Sequence, residues 1–195
     1  KLFISNEITK LSKTKKIKIN LEKKLLEEIT NIVEKPKILF CEFDKKYLMV
    51  PKEILIITMQ KHQKYLPVFD NKGNLINNFI VIADKKDPKG FVKLGNERVI
   101  EARLNDAEFF WKKNRSQNLV KQVSKLKNIN YFKGLGNYYD KTQRIRKLSG
   151  QISDELLISK EKIEVASSIC KIDLLSDLVG DFPELQGILG GYFAE

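Results

Sequence analysis

YLPVFDNKGNLINNFIVIA, residues 65–83, is the stretch that decides the fold. Two runs rich in β-branched and aromatic residues, Tyr65–Phe69 and Leu75–Ala83, flank Asp70-Asn71-Lys72-Gly73-Asn74. Asp and Asn fold their side chains back onto nearby backbone N–H groups, and Gly tolerates positive φ. Such a cluster between two apolar runs predicts an antiparallel hairpin. Upstream, KILFCEF (37–43) reads as a further strand followed by a charged turn. Pro51 stands where a helix would start, and EILIITMQKHQ (53–63) continues it. LEKKLLEEITNIVE (21–34) places Leu21, Leu25, Ile29 and Ile32 at helical spacing, with Pro36 ending the helix. Residues 1–90 are therefore expected to be α+β, with antiparallel strands. DKKDPKG (84–90) is the expected boundary.

From Val92 the period becomes helical. Ile100, Leu104, Ala107 and Trp111 step by four, three and four, which places them on one inward stripe. Asn118–Lys127 predicts a second helix. Gly134-Leu135-Gly136 interrupts the pattern, and Tyr138–Leu157 resumes it, with Ile145, Leu148, Ile152 and Leu156 expected to face inward. Lys160–Lys171 and Asp173–Phe182 predict shorter helices, and Pro183 starts another. Residues 91–195 are thus expected to form a helical domain. No internal repeat is present.

Composition narrows the class. The 195 residues are 42% hydrophobic and 31% charged, the balance of a globular chain rather than a disordered one. The longest apolar runs, Ile54–Ile57 and Phe79–Ala83, fall far short of the roughly 20 residues that span a bilayer, so no transmembrane helix and no membrane partner is expected. Cys41 and Cys170 cannot form a disulfide framework and read as buried thiols of a reducing, cytoplasmic compartment. The absence of an initiator Met and of a polar tail suggests a fragment of a longer protein.

Charge is the first functional lead. The formal balance is +11, which favours polyanionic partners. Of the 36 basic residues 31 are Lys, so part of this excess is expected to be ordinary solvated surface. The distribution is more telling: residues 1–150 carry 33 basic against 16 acidic residues, and residues 151–195 carry 3 against 9. Lys112–Lys147 alone holds eleven basic residues and a single acid, Asp140, interleaved with Trp111, Tyr131, Phe132, Tyr138 and Tyr139. Cations hold phosphates, and aromatic rings can stack on unpaired bases. Lys112, Lys113, Arg115, Lys141, Arg144 and Lys147 are the candidate nucleic-acid contacts, weighed against a solvated helix face.

Other motifs carry less. Gly134-Leu135-Gly136 before a helix can present N–H groups to a phosphate. It lacks the third glycine and preceding strand of a dinucleotide site, so a turn between helices is favoured. Asp173, Asp177 and Asp181 share a helix face and can in principle hold a divalent cation, with capping the favoured role. His62, the single histidine, sits in a polar helix end, where a non-catalytic role is expected. Arg103 and Asp106, three apart in ARLNDAEFFW (102–111), are expected to form a structural ion pair within the core.

Several long strings together carry a resemblance. They are VPKEILIITMQKHQKYLPVFD (50–70), GNERVIEARLNDAEFFW (95–111), GLGNYYDKTQRI (134–145) and KIDLLSDLVGDFPELQGILGGYFA (171–194). In type and order the chain from about residue 38 to 195 resembles the β subunit of bacterial glycyl-tRNA synthetase, the tetrameric α2β2 kind. The resemblance implies an internal piece of that subunit, with an α+β region like the B3/B4 fold of phenylalanyl-tRNA synthetase β chains, then a region like the HD phosphohydrolase helical fold, truncated at its C-terminus. It implies a role in ligating glycine to tRNA(Gly). The α subunit would carry the adenylation site, with ATP and Mg used by the holoenzyme, and the β subunit would supply tRNA recognition. It also implies that this piece has no catalytic residue, metal or cofactor of its own. An HD hydrolase needs several His and Asp ligands, and residues 91–195 contain no His. The alternatives are a metal-dependent HD-type phosphohydrolase using Asp173 and Asp177, and a general RNA-binding module.

Overall fold

The computed structural model describes residues 1–194, except for the side chain of His62, so the reading of that residue lies outside what is described. The chain divides into two compact units, Lys1–Phe109 and Phe110–Glu195. The division falls inside a long helix rather than at residues 84–90.

The first unit opens with α1 (Leu2–Lys15), β1 (Lys18–Ile19), α2 (Lys23–Ile32) and β2 (Lys37–Glu42). A 3-10 turn at Lys45–Met49 leads to α3 (Lys52–Gln63), then β3 (Leu66–Phe69), β4 (Leu75–Ala83) and α4 (Phe91–Ser116). The four strands form one antiparallel sheet in the order β1-β3-β4-β2. The predicted hairpin is present. Asp70 Oδ1 accepts from the N–H groups of Lys72 at 2.8 Å and Asn74 at 2.9 Å, and Gly73 takes φ 89°.

Alternation along the strands sends residues to two faces. Ile80 of β4 joins Leu66 and Val68 in a cluster with Ile4 and Ile8 of α1 and Leu25, Leu26 and Ile29 of α2. Its neighbour Phe79 meets Tyr65 at 4.9 Å and Phe43 at 6.4 Å, centroid to centroid. In α2, Leu25 and Ile29 are buried as expected, whereas Ile32 is exposed and Leu26 takes the inward place.

α4 starts where Asp87 accepts from the N–H groups of Val92 (3.1 Å) and Lys93 (2.8 Å). These bonds hold the Asp87 carboxyl below its ordinary range. Two tyrosines of the sheet region then grip the helix. Tyr65 donates to Asn96 Oδ1 at 2.6 Å, and Tyr47 donates to Asn105 Oδ1 at 2.7 Å. Burial pushes the Tyr65 phenol up to about 12, so it remains a donor at neutral pH. The thiol of fully buried Cys41 is likewise pushed up to about 12, which leaves it unreactive.

The stripe Ile100, Leu104, Ala107 and Trp111 is buried throughout. Arg103 and Asp106 are not on it. Both are exposed, and no ion pair joins them. At about 100° per residue, positions 103 and 106 turn away from the face that carries 100, 104 and 107. The expected core ion pair is therefore corrected to two solvated side chains.

In the second unit a run of 3-10 turns, Leu119–Asn128, replaces the expected second helix. It is followed by a short ribbon of β5 (Asn130–Phe132) and β6 (Gly136–Asn137), then α5 (Tyr138–Glu155) and α6 (Lys160–Ile169). Short turns at Ile172–Leu175 and Pro183–Leu185 bracket α7 (Asp177–Asp181), and α8 (Ile188–Ala194) follows. Trp111 lies against α8, with Phe193 stacked at 6.1 Å and Tyr192 edge-on at 5.7 Å. α5 departs from expectation: Thr142 and Ser153 are its buried residues, while Leu148, Ile152 and Leu156 are exposed.

Trp111→Ala is expected to lower unfolding free energy by about 3–5 kcal/mol, because a buried aromatic and its two ring contacts are lost together. Arg103→Ala should stay within about 0.5 kcal/mol. Urea unfolding of both variants checks the pair.

Candidate nucleic-acid interface

The basic band Lys112–Lys147 is not one uniform surface. Its acidic partners sort it into committed and uncommitted cations. Lys113 lies 2.9 Å from Asp177, whose Oδ2 also accepts from Asn114 Nδ2 at 3.3 Å. Asn114 is buried, and its Oδ1 accepts from the Leu178 N–H at 3.5 Å, so this corner is a structural latch between α4 and α7. Arg146 pairs with Glu164 of α6 at 3.1 Å. Lys141 Nζ sits 3.8 Å from the centre of the Tyr131 ring, and Tyr131 packs edge-on against Tyr138 at 5.3 Å. Lys127 lies 4.9 Å over the Tyr139 ring. Arg115 is 5.9 Å from the Trp111 ring. Lys112 is exposed and has a partner of its own.

Four cations remain exposed with no partner among the described residues: Lys121, Lys133, Arg144 and Lys147. Of the six candidate contacts, only Arg144 and Lys147 belong to this set. The aromatics sort in the same way. Trp111 is 7% exposed, and Tyr131 and Tyr138 pack on each other, while Phe132 in the β5–β6 ribbon is 67% exposed. Phe132 and Lys133 are thus neighbours on an exposed ribbon. Phe132 pairs with Gly136 across the ribbon, a pairing of residues four apart that the Gly-x-Gly turn permits.

The same glycines show why the start of α5 is not a phosphate cradle. Gly134 and Gly136 take φ 83° and 78°. Asp140 completes a capping box, accepting from the Asn137 N–H at 3.1 Å while Asn137 Oδ1 accepts from the Asp140 N–H at 2.9 Å. A side chain at position 136 would collide with that carboxylate. The positive end of the helix already holds an anion from its own chain.

The three aspartates take separate environments. Asp173 is fully buried: its Oδ2 accepts from the Gly187 N–H, and its Oδ1 has no hydrogen-bond partner. Asp177 faces Lys113 and Asn114, and Asp181 is exposed. Among the described residues no group of three or more His, Cys, Asp or Glu could hold a metal ion. No described helix is long and apolar enough to cross a membrane.

Lys113 beside Asp177 holds its carboxyl below the usual aspartate range. The stabilisation this gives is therefore complete above the unfolded-state pKa and is lost as pH falls through the lower folded value. Asp177→Asn should reduce stability at neutral pH and flatten the acid limb of the stability profile, measured by urea midpoints from neutral pH down into the acid range.

Comparison with known proteins identifies the family. The family described as "Glycyl-tRNA synthetase beta subunit" matches residues 1–195. The glycine–tRNA ligase beta subunit of Thermodesulfovibrio yellowstonii is 41% identical over 197 residues, covering 100% of this chain and 29% of the relative. Those of a Janthinobacterium species and Neisseria meningitidis are 39% and 40% identical, each covering 87% of this chain and 24% and 25% of the relative. The chain thus spans less than a third of the length of these curated relatives. A match along every residue, at this identity, settles the family: the chain belongs to the glycyl-tRNA synthetase β subunits.

Proposed function

We propose that this chain is a non-catalytic part of glycine–tRNA ligase that supports tRNA(Gly) binding and aminoacylation alongside the α subunit of an α2β2 enzyme in the cytoplasm. The observation that carries the reading is the set of exposed cations without partners, Lys121, Lys133, Arg144 and Lys147, together with exposed Phe132. Within the band Lys112–Lys147, where the other cations meet a carboxylate, an amide or an aromatic ring, these four are the ones available to a polyanion. They contact phosphates, which fixes register without reading sequence, and Phe132 offers a face on which an unpaired base stacks.

Adenylation, with its ATP and Mg, belongs in this reading to the α subunit. Asp173 is committed to the Gly187 N–H and Asp177 to Lys113, which leaves the HD-type hydrolase alternative without a ligand set. The role of this chain is positioning: a basic surface raises the local concentration of tRNA and orients it for transfer.

In the α2β2 enzyme, the double variant Arg144→Ala/Lys147→Ala should raise the KM for tRNA while glycine-dependent ATP–pyrophosphate exchange stays near wild type. Each lost phosphate contact should reduce the slope of log affinity against log salt by about 0.7–0.9. An unchanged slope in the double variant would make α5 an ordinary solvated face.

A further inference from the structure

Three segments of the first unit converge beside the outer strand of its sheet. β2 and β4 pair with Lys37 opposite Ala83, which sets residues 34–36 next to residues 84–86. Asp84 Oδ1 closes the junction, accepting from the N–H groups of Glu34 at 2.7 Å and Lys35 at 2.6 Å. The start of α1 adds Phe3. Two adjoining cavities result, of about 500 Å³ and about 430 Å³, which share Phe3, Pro36, Lys37 and Lys86. Ile4 and Ile8 of α1 are buried in the core, whereas Phe3 stays 50% exposed at the groove. Lys35, Lys37, Lys85 and Lys86 surround its ring, and none of them meets a carboxylate or a ring among the described residues. The acids nearby are mostly committed: Asp84 to the two N–H groups above, and Asp87 to the cap of α4. Glu7 is the one groove carboxylate without a partner among the described residues. The strand edge is open as well. Glu42 N–H turns out to Glu97 Oε1 at 2.8 Å, while Phe43 N–H turns in to the Asn77 carbonyl at 3.0 Å. Alternation then points the N–H and C=O groups of Ile38 and Phe40 away from β4, where they have no partner among the described residues.

We propose that this groove holds a short unpaired stretch of RNA, with a base against Phe3 and its flanking phosphates against Lys35, Lys85 and Lys86. Charge complementarity selects a polyanion: four cations without partners face a single uncommitted carboxylate. An exposed aromatic ring among cations is the pairing that single strands use, the ring for a base face and the cations for the backbone. Two cavities in series suit successive nucleotides of a strand better than one free nucleotide, and each has the size of a ligand site. Ile38, which lines the second cavity, adds a backbone donor and acceptor for a base edge. Strand addition by a peptide fits less well, because Glu97 occupies the edge at Glu42 and leaves only Ile38 and Phe40 open. Lys37 by itself would serve to guard an edge strand, but Lys35, Lys85 and Lys86 lie outside the ladder. The proposal rests on the first unit alone and not on the tRNA reading of Arg144 and Lys147.

The test uses full-length β subunit in the assembled enzyme and a short unstructured oligoribonucleotide carrying 4-thiouridine, with photo-adducts mapped by mass spectrometry. Adducts are expected on the segments around Phe3 and Lys85, and their absence there overturns the proposal whatever the variants do. Phe3→Ala should weaken binding, read from the concentration dependence of that adduct, by at least about fivefold, and Phe3→Tyr should restore it. Lys85→Ala/Lys86→Ala should flatten the slope of log affinity against log salt by about 0.7 per lost contact, and the exposed control pair Lys10→Ala/Lys72→Ala should not. Equal losses in both pairs overturn the proposal by reducing the effect to net charge. Arg144→Ala/Lys147→Ala should leave the Phe3 adduct unchanged whether or not the tRNA reading of the second unit holds. Displacement of the adduct by free ATP or AMP at matched nucleotide concentration, or by a glutamate-rich peptide in place of unlabelled RNA, also overturns the proposal, by assigning the groove to a free nucleotide or to an acidic chain.

Discussion

A buried carboxylate organises the second unit. Asp173 sits in a fully buried position, takes the Gly187 N–H on one oxygen and leaves the other without a hydrogen bond. Removing such a group from water is costly, and the bond to Gly187 is its main compensation. That bond ties the turn after Lys171 to the start of α8. α8 then brings Tyr192 and Phe193 onto Trp111. With this frame in place, α7 stands where Asp177 meets Lys113 and Asn114. Gly190 belongs to the same arrangement: a side chain there would reach ordinary contact with the Asp173 carboxylate.

The placement of the carboxylates also determines the electrostatic surface. Residues 151–195 are acidic in sum, and residues before them strongly basic, but the two do not simply cancel. Asp177 neutralises Lys113 and Glu164 neutralises Arg146, while Asp140 is folded into the cap of its own helix. Lys121, Lys133, Arg144 and Lys147 are left facing solvent. A basic surface of this origin is more than compositional excess of lysine, because it is defined by which cations the fold leaves without partners.

Local chemistry was legible in the sequence where partners are close along the chain. The hairpin at 65–83 follows from Asp70 and Gly73, and the stripe of α4 from its period. α1 was not read from the sequence, although Ile4, Ile8 and Leu11 recur at helical spacing, and its role in covering the sheet shows only once Leu66, Val68 and Ile80 are seen beneath it. The tyrosine–asparagine grips on α4 join residues 58 and 31 apart and leave no local mark. The basic band was visible as composition. Its division into paired and unpaired cations was not, because Asp177 and Glu164 come from distant positions. For α5, period alone places Leu148, Ile152 and Leu156 on one row but cannot say whether the fold buries that row. Arg103 and Asp106 show a related limit: spacing sets proximity, and only the orientation of the whole stripe sets burial.

The central claim is that the unpaired cations of the second unit lie along tRNA. Site-specific photo-crosslinking in the assembled enzyme tests it most directly, with a benzophenone side chain replacing Lys133 or Lys147 in turn and, as a control, the exposed Arg103 of the first unit. The account predicts covalent tRNA adducts from positions 133 and 147, suppressed by raising salt, and none above background from position 103. Adducts from 103 alone, or equal yields from all three positions, would contradict it.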